Sequence, residues 1–475
     1  MANQRQPQFA RHYIDLTTSL YFVGQPAMGI LRTEREIAKR LLSDQRLRAV
    51  PVAFWQDQLF ILEPEDVDLL LRDTPPAIST IPPPDVRPAP PGFRNRLKRG
   101  VRAVARRLVG LAPAYSREDL RWALFFAMRF ARAIRNRAPN PAFEAIGTDR
   151  DTSSLNDARN KIRARLLVAA APGSHDVFWT CGHLALLPFR RLAEQKLQAQ
   201  FRVAAMGYDV IRIRHPEWNT QEEPRELFVA NTIDLIDTAD LIYCISRHTG
   251  RGLAGFAADA GRPKPRLKLV RLGADLPLPE HSSDDAAGAR LPRLSGRPFA
   301  LAVGTVEARK NYALLLKVWQ TLSDEPDFDL DLVIVGRPGI GATASIAELR
   351  TSPLIGKRIF WLEDCPDTVL HGLYRRCRLV LCPSLMEGWG LPVSEGLAHG
   401  KPVVCSDRGA LPEAAMGRAM LRDPADWMAW VDTIRSLAKA PVSSNASLHL
   451  PTWDAAADRI SRGLLAMSRP ATCEG

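Results

Sequence analysis

The feature that most limits the folds open to this chain is a repeated unit: a short apolar segment, a turn and a longer amphipathic segment. Short strands that alternate with helices are typical of βαβ units, whose strands form a parallel sheet. The second half of the chain predicts strands within FALAVGTVE (299–307), LDLVIVGRPG (330–339), RIFWLED (358–364), LVLCPS (379–384) and PVVCSD (402–407), with a helix over 311–322. The pattern therefore predicts an α/β protein with parallel sheets.

The first half shows the same alternation with wider interruptions. A glycine-containing turn at 24–29 precedes a predicted helix over 30–42, in which Ile30, Ile37 and Leu41 share one face. Strand regions are predicted at YIDLTTSL (13–20), FWQDQLFILEP (54–64), HDVFWTC (175–181), AAMGYDVIRI (204–213), DLIYCIS (240–246) and RLKLVRLGAD (266–275). A length of 475 residues, 46% of them hydrophobic, suffices for two such lobes.

Two irregular stretches divide the chain. Residues 74–91 contain too many prolines for a helix or a central strand, and residues 279–298 form a second linker between the two α/β series. The predicted domains are an N-terminal Rossmann-like lobe over 1–285 with an insertion at about 74–150, a C-terminal Rossmann-like lobe over 286–450, and a C-terminal helix that crosses back to the first lobe, with a tail, over 451–475.

Positive charge is concentrated in the predicted insertion. The net charge is +12, and residues 94–137 hold 13 basic residues against Glu118 and Asp119. Arginines alternate there with apolar residues at helical spacing, a pattern typical of a basic helix on an anionic membrane surface. Two ordinary helices with solvated arginines are the alternative. Nucleic-acid binding is not favoured, because the aromatic residues belong to no known readout module.

Cysteine and hydropathy patterns indicate a reducing compartment. The seven cysteines form no Cys-x-x-Cys pair and have no histidine at zinc spacing, so disulfide and zinc scaffolds are not expected. The N-terminus has no apolar signal core, and no window reaches 18 uninterrupted apolar residues. We expect a cytoplasmic location, with membrane contact only at the surface of the inner face.

The densest group of chemically informative residues lies within 379–407. After a predicted strand, Gly388 and Gly390 make a tight turn, and Pro392 lies where a helix would begin. Backbone N–H groups at the start of such a helix predict an anion site.

Two carboxylates, Glu387 and Glu395, flank this predicted anion site. Carboxylates repel phosphate but accept hydrogen bonds from hydroxyl groups, and a nucleoside diphosphate sugar has hydroxyls on both sides of its diphosphate. We therefore interpret the pair as suited to such a donor. An ordinary strand, turn and helix with surface glutamates is the alternative.

The stretch from Glu387 to Glu395, Glu-Gly-Trp-Gly-Leu-Pro-x-x-Glu, resembles the Glu-x7-Glu signature of family-4 retaining glycosyltransferases, also called group 1 glycosyltransferases. The resemblance extends over roughly 160–465. It includes FALAVGTVEARKN (299–311), LVIVG (332–336), LYRRCRLVLCPS (373–384), HGKPVVCSDRGALPEAA (399–415) and ADLIYCISRHTGRGL (239–253). It implies the GT-B fold, in which two Rossmann-like lobes enclose a cleft, here with the basic helical insertion in the N-terminal lobe.

The resemblance also implies roles for individual residues. Glu395 would bind the donor ribose and Glu387 the transferred hexose, while Lys310 and Arg309 would neutralise the leaving diphosphate. The residues implied to contact the donor through the turn and through two further glycines are Gly388, Trp389, Gly390, Leu391, Gly29 and Gly304.

Two positions depart from the family pattern. Thr305 stands where many members have arginine, and Tyr208-Asp209 stands where many have His-Asp. Asp209 is retained as a candidate catalytic residue lining the cleft, and His215 is a possible substitute for the histidine. We assign no general base, because enzymes of this type are thought to pass the acceptor proton to the donor phosphate.

The resemblance, together with these residues, implies a retaining glycosyltransferase that moves a mannose-, glucose- or rhamnose-like hexose to a glycan or lipid-linked acceptor in surface polysaccharide assembly. No cofactor is expected besides the nucleotide sugar substrate. The sequence near the turn has no Asp-x-Asp motif of the kind that binds a donor metal, so an obligatory metal is not expected either. A catalytically silent GT-B scaffold at the membrane is the alternative. A dehydrogenase is not favoured, because the third glycine of GRPGIGA (336–342) and the acidic residue downstream are not at the spacing of a dinucleotide-binding fingerprint.

Overall fold

The structure, a computed structural model, describes eight segments of the chain. They are 10–25, 29–72, 152–218, 225–275, 296–339, 342–363, 365–440 and 450–468. Residues 77–152 form one unit and the rest of the chain another. The predicted basic insertion and most of the predicted 279–298 linker lie outside the described residues. No helix within the described segments is long and apolar enough to cross a membrane.

The first lobe is built on a seven-stranded sheet. Its strands are β1 (His12–Asp15), β2 (Ala49–Trp55), β3 (Gln58–Ile61), β4 (Val177–Thr180), β5 (Arg202–Gly207), β6 (Leu241–Cys244) and β7 (Leu267–Leu269). Their order is β3-β2-β1-β4-β5-β6-β7, and all neighbours are parallel except the β2–β3 hairpin. Gln56 and Asp57 close that hairpin with φ values of 49° and 62°, as a tight two-residue turn requires.

Eight helices accompany this sheet in the described residues. They are α1 (Thr17–Tyr21), α2 (Ile30–Ser43), α3 (Pro64–Leu71), α4 (Thr152–Ala164), α5 (Phe189–Ala199), α6 (Ile211–Arg214), α7 (Arg225–Thr238) and α8 (Arg247–Asp259). Helix α2 matches the predicted helix over 30–42. The predicted strand region over 54–64 is divided by the turn at Gln56 and Asp57 into the end of β2 and the whole of β3. Two other predicted strands run on into helices: TTSL belongs to α1, and Ile211–Arg214 is helical rather than a continuation of β5. Both segments follow a buried strand end, where the chain must turn away from the sheet.

The second lobe contains a six-stranded parallel sheet. Its strands are β8 (Phe299–Val303), β9 (Asp331–Val335), β10 (Ile359–Leu362), β11 (Leu379–Cys382), β12 (Val403–Ser406) and β13 (Met420–Arg422), in the order β10-β9-β8-β11-β12-β13. Helices α9 (Tyr312–Ser323), α10 (Thr343–Thr351), α11 (Asp367–Arg376), α12 (Leu391–Ala398), α13 (Leu411–Ala415) and α14 (Trp427–Lys439) cover it. The short edge strand β13 was not predicted, because three partly exposed residues carry little periodicity.

The predicted GT-B fold, with two parallel-sheet α/β lobes, is confirmed. Central strands such as β4 and β9 are buried at every residue, as expected when helices cover both faces of a parallel sheet. Because parallel strands point the same way, the loops after β8 and β11 meet at one edge of the second sheet. That edge carries the signature turn.

A final helix, α15 (Trp453–Ser468), packs on α2 and on β4 and β5 of the first lobe. Its start is held by Asp275, whose carboxylate accepts the Trp453 N–H at 2.9 Å and whose backbone carbonyl accepts the indole N–H at 3.0 Å. Trp453 is fully buried. Helix α15 therefore returns to the first lobe after the second lobe is complete.

Candidate functional site

The signature turn connects β11 to α12 and presents free backbone donors. Within the described residues, the amides of Gly388, Trp389, Gly390 and Leu391 donate to no acceptor. These amides lie at the start of an eight-residue helix, where the helix dipole adds positive potential. Four unpaired donors in a largely buried turn form an arrangement that an anion can satisfy.

Glu387 lies just before this turn and is held by two cations. Its Oε1 atom lies 2.5 Å from Lys310 Nζ, and its Oε2 atom lies 2.8 Å from Arg309 Nη1. Arg309 also donates to the Met386 carbonyl at 3.1 Å and pairs with Glu307 at 2.8 Å. A short 3-10 helix over Ala308–Lys310 places both cations beside the turn.

The ionisation of Glu387 follows from these partners. Burial raises the pKa of the carboxyl, but the attraction of Arg309 and Lys310 is stronger and brings the pKa to about 2. The pKa of Arg309 is raised: burial lowers it, and the charges of Glu387 and Glu307 more than offset burial. Glu387 and Arg309 are therefore both charged at neutral pH.

Glu395, in α12, bonds to the opposite lobe. Its Oε1 atom accepts a hydrogen bond from Arg32 Nη1 at 2.6 Å, and its Oε2 atom accepts one from the Tyr374 hydroxyl at 2.8 Å. Arg32, from α2, also pairs with Asp367 at the start of α11. Glu395 therefore lies at the boundary between the lobes.

The two lobes also meet at Gly388. A Cβ atom there would lie 2.5 Å from the Tyr208 carbonyl oxygen and 3.1 Å from Asp209 Cβ, so only glycine permits this approach. Thr249 Oγ1 donates to the Tyr208 carbonyl at 2.8 Å. Burial raises the pKa of Asp209, and the neighbouring charge of Arg309 partly offsets that effect. Asp209 therefore lies next to the turn and close to the charged pair of Glu387 and Arg309.

The remaining predicted residues are distributed as follows. Gly304 directly follows β8, and Lys310 Nζ lies 3.2 Å from the position of a Cβ atom there. Gly29 immediately precedes α2, where its carbonyl accepts the Thr33 N–H at 3.0 Å. The Tyr208 hydroxyl donates to the Cys181 carbonyl. His215 pairs with Glu217 at 3.0 Å and stacks on Trp218, and among the residues that the structure describes no contact joins it to the signature turn.

From the sequence alone, no role was predicted for Arg32, Asp367, Tyr374 or Glu413. Asp367 follows β10, so its place at the carboxyl end of a parallel strand was a usable signal. Glu413 was part of the quoted family motif, but its role was not predicted. Its carboxylate accepts the backbone N–H groups of Arg247 at 2.9 Å and His248 at 2.8 Å, at the start of α8.

A second buried acidic pair lies in the first lobe, around Gly182. A Cβ atom at Gly182 would lie 2.8 Å from Glu34 Oε1 and 3.6 Å from Asp15 Oδ2. Burial raises the pKa of Asp15 to about 6, and burial together with the Asp15 charge raises that of Glu34 to about 8. The described residues contain no group of three or more ligating side chains that could hold a metal ion.

The second lobe is similar to a family of known sequences. Residues 286–448 match the family model described as glycosyl transferases group 1. The serotype-specific mannosyltransferase WbdA of Escherichia coli is 31% identical over 219 residues, which are 45% of this chain and 27% of that protein. The O-antigen chain mannosyltransferase B of Escherichia coli is 26% identical over 226 residues, 47% of this chain and 58% of that protein.

The chain spans less than two thirds of the length of these relatives. Among solved structures, the N-terminal domain of Candida albicans trehalose-6-phosphate phosphatase aligns over 99% of both chains with a TM-score of 0.53 and 13% identity. A likeness at that identity concerns the fold alone, and it agrees with the two-lobed architecture.

Proposed function

Residues 286–448 of this chain belong to the group 1 glycosyl transferases, and from that premise we propose that the protein is a retaining hexosyltransferase using a nucleoside diphosphate sugar. The acceptor would be a growing glycan or a lipid-linked glycan in surface polysaccharide assembly. The names of the two Escherichia coli relatives, both mannosyltransferases, support a mannose-like hexose.

The observation that carries the proposal is the arrangement around the signature turn. Four free amides and the adjacent Lys310 and Arg309 can receive a diphosphate. Glu387 and Glu395 lie at the two ends of the Glu-x7-Glu stretch, where they can accept hydrogen bonds from hydroxyls of the hexose and of the ribose. This distribution of cations and carboxylates matches the alternating polar groups of the donor.

In the proposed reaction, the acceptor oxygen bonds to the anomeric carbon while the bond from that carbon to the β-phosphate oxygen breaks. The nucleoside diphosphate leaves, and the acceptor proton passes to its phosphate. Negative charge grows on the leaving group, so Lys310 and Arg309 lower the barrier by stabilising that charge. Asp209, near the same cluster, is proposed to line the acceptor side.

A panel of donors tests this proposal. One of the UDP-, GDP-, ADP- and dTDP-sugars is expected to raise the melting temperature, because a ligand that binds only the folded state stabilises it. The same donor, labelled in its hexose, is expected to release nucleoside diphosphate when an acceptor glycan is present. The absence of binding by any donor would refute the proposal.

A silent scaffold is the second candidate, and the environment of Tyr208 favours it. The hydroxyl at the position of the family's usual histidine donates to the Cys181 carbonyl, so it is engaged within the first lobe. Donor binding without turnover across a range of glycan acceptors would support the scaffold. Turnover would exclude it.

The basic insertion lies outside the described residues. We propose that it contacts the membrane and so brings the protein to the inner face of the membrane. We expect Arg102→Glu, Arg106→Glu and Arg107→Glu together to reduce flotation with anionic liposomes by at least tenfold, since each near-surface arginine contributes about 1 kcal/mol. Neutral liposomes are the control. Unchanged flotation of the triple variant would contradict the proposal.

A further inference from the structure

A buried interlobe ion pair is the strongest feature that the proposed reaction does not use. Arg32 bonds to Glu395 at 2.6 Å and also to Asp367, and these three side chains are 4%, 4% and 7% exposed. Tyr374 donates to the second oxygen of Glu395 at 2.8 Å. Both oxygens of the carboxylate proposed to hold the ribose are therefore engaged by groups of the chain itself.

Arg32 and a nucleoside would need the same acceptor atom. Vicinal hydroxyls bind a carboxylate through the lone pairs that a guanidinium fork also uses. Arginine stays charged at all relevant pH values, and a buried pair is little screened by salt. Arg32 therefore does not leave Glu395 by losing its own charge, and salt does little to weaken the pair.

We propose that Arg32 is an internal competitor for the nucleoside: it occupies Glu395 while the lobes are together and must leave before the donor can bind. The inference rests on the proposed function, which places the ribose at Glu395. Arg32 belongs to α2 of the first lobe, and its two carboxylate partners belong to α11 and α12 of the second. The competition concerns the occupancy of Glu395 itself rather than how far the lobes open.

A second interlobe contact provides a matched control. Glu413, from α13, accepts two backbone N–H groups at the start of α8, and it contacts neither Arg32 nor Glu395. Glu413→Gln weakens the junction between the lobes while leaving Glu395 occupied. An effect that depends only on looser lobes would therefore be common to both kinds of variant.

The experiment measures the Kd of UDP, GDP, ADP and dTDP by calorimetry for the full chain and for Arg32→Ala, Asp367→Asn and Glu413→Gln. We expect Arg32→Ala to bind the preferred nucleotide about tenfold more tightly, because the binding-competent fraction rises. Asp367→Asn keeps the Arg32–Glu395 pair but loses its second anchor, so a smaller gain of about threefold is expected. Glu413→Gln is expected to remain within about twofold of the unsubstituted chain.

Each outcome bears on the competition. Equal nucleotide affinity in the unsubstituted chain and in both Arg32→Ala and Asp367→Asn would overturn it while the proposed function stands. Weaker binding by Arg32→Ala would make Arg32 a donor ligand, and equal gains in Glu413→Gln would assign the effect to lobe opening alone; both overturn it. If neither the unsubstituted chain nor any variant bound a nucleotide, the proposed function would be refuted, and the competition, which rests on it, would be refuted with it. Should Arg32→Ala not fold, Asp367→Asn decides the question alone.

Discussion

Replacing Glu387 with glutamine is expected to lower kcat by about 10²- to 10³-fold and the free energy of unfolding by about 3 kcal/mol at pH 7. The substitution removes the carboxylate that pairs with Lys310 at 2.5 Å and Arg309 at 2.8 Å. Two cations then remain in a buried place without their main counter-charge. They also lose the group that holds them beside the free amides of the turn.

The pH dependence of this loss has a definite sign. The folded-state pKa of Glu387 is about 2, below its ordinary value of 4.5. The stabilisation is therefore complete above pH 4.5 and is lost as the pH falls toward 2. The stability difference between the variant and the unsubstituted chain should be constant from pH 5 to 8.

Urea unfolding and the release of nucleoside diphosphate measure the two effects of Glu387→Gln. The matched control is Glu307→Gln, because Glu307 also pairs with Arg309 at 2.8 Å but precedes the 3-10 helix and does not belong to the turn. We expect that control to retain most of kcat. An equal loss in both variants would show that Arg309 pairing in general, rather than the carboxylate of the turn, accounts for the effect.

Glutamine at position 34 should produce the second large effect, on the pH dependence of stability. The folded-state pKa of Glu34 is raised to about 8 by burial and by Asp15, against an ordinary value of 4.5. The folded chain therefore keeps a proton that the unfolded chain releases between these values. Stability falls as the pH rises through this window, by about 1.4 kcal/mol per pH unit.

Glu34→Gln removes this slope, because the amide cannot ionise. Its stability relative to the unsubstituted chain should therefore rise between pH 5 and 8 and level off above that, even if the amide fits less well beside the Ser19 N–H, which donates to Glu34 Oε2 at 2.6 Å. Chemical denaturation at intervals of half a pH unit measures the slope. Glu194→Gln, at the exposed surface, controls for the loss of one carboxylate. Parallel stability curves for Glu34→Gln and the unsubstituted chain would contradict the assignment.

The relation between sequence and fold is clearest at the strand ends. Predicted strands in the second lobe coincide with β8 to β12, because buried parallel strands are continuous apolar runs bounded by glycine or proline. The first lobe was harder, since the apolar residues of TTSL and VIRI fit a strand or a buried helical turn equally well. Only the tertiary structure distinguishes the strand from the helical turn, because it shows that β1 ends at Asp15 and β5 at Gly207, before these residues.

The candidate site divides in the same way. Glycines, Pro392 and the two signature glutamates were visible as a local motif, and so were the neighbouring Arg309 and Lys310. The surroundings of His215, considered as a substitute for the family's usual histidine, could not be predicted from a local motif. The structure pairs His215 with Glu217. A proline-adjacent histidine carries no signal of which side chain lies opposite it.

What the sequence by itself determined is the two-lobed α/β fold and the position of the turn at Gly388 and Gly390, because strand period, helix starts and tight turns depend on residues a few positions apart. What only the tertiary structure decided is which side chains pair with each carboxylate. Glu395 lies 363 positions from Arg32 in the chain, yet their atoms are 2.6 Å apart. An ion pair depends on distance in space, and that distance exists only after both lobes have folded and met.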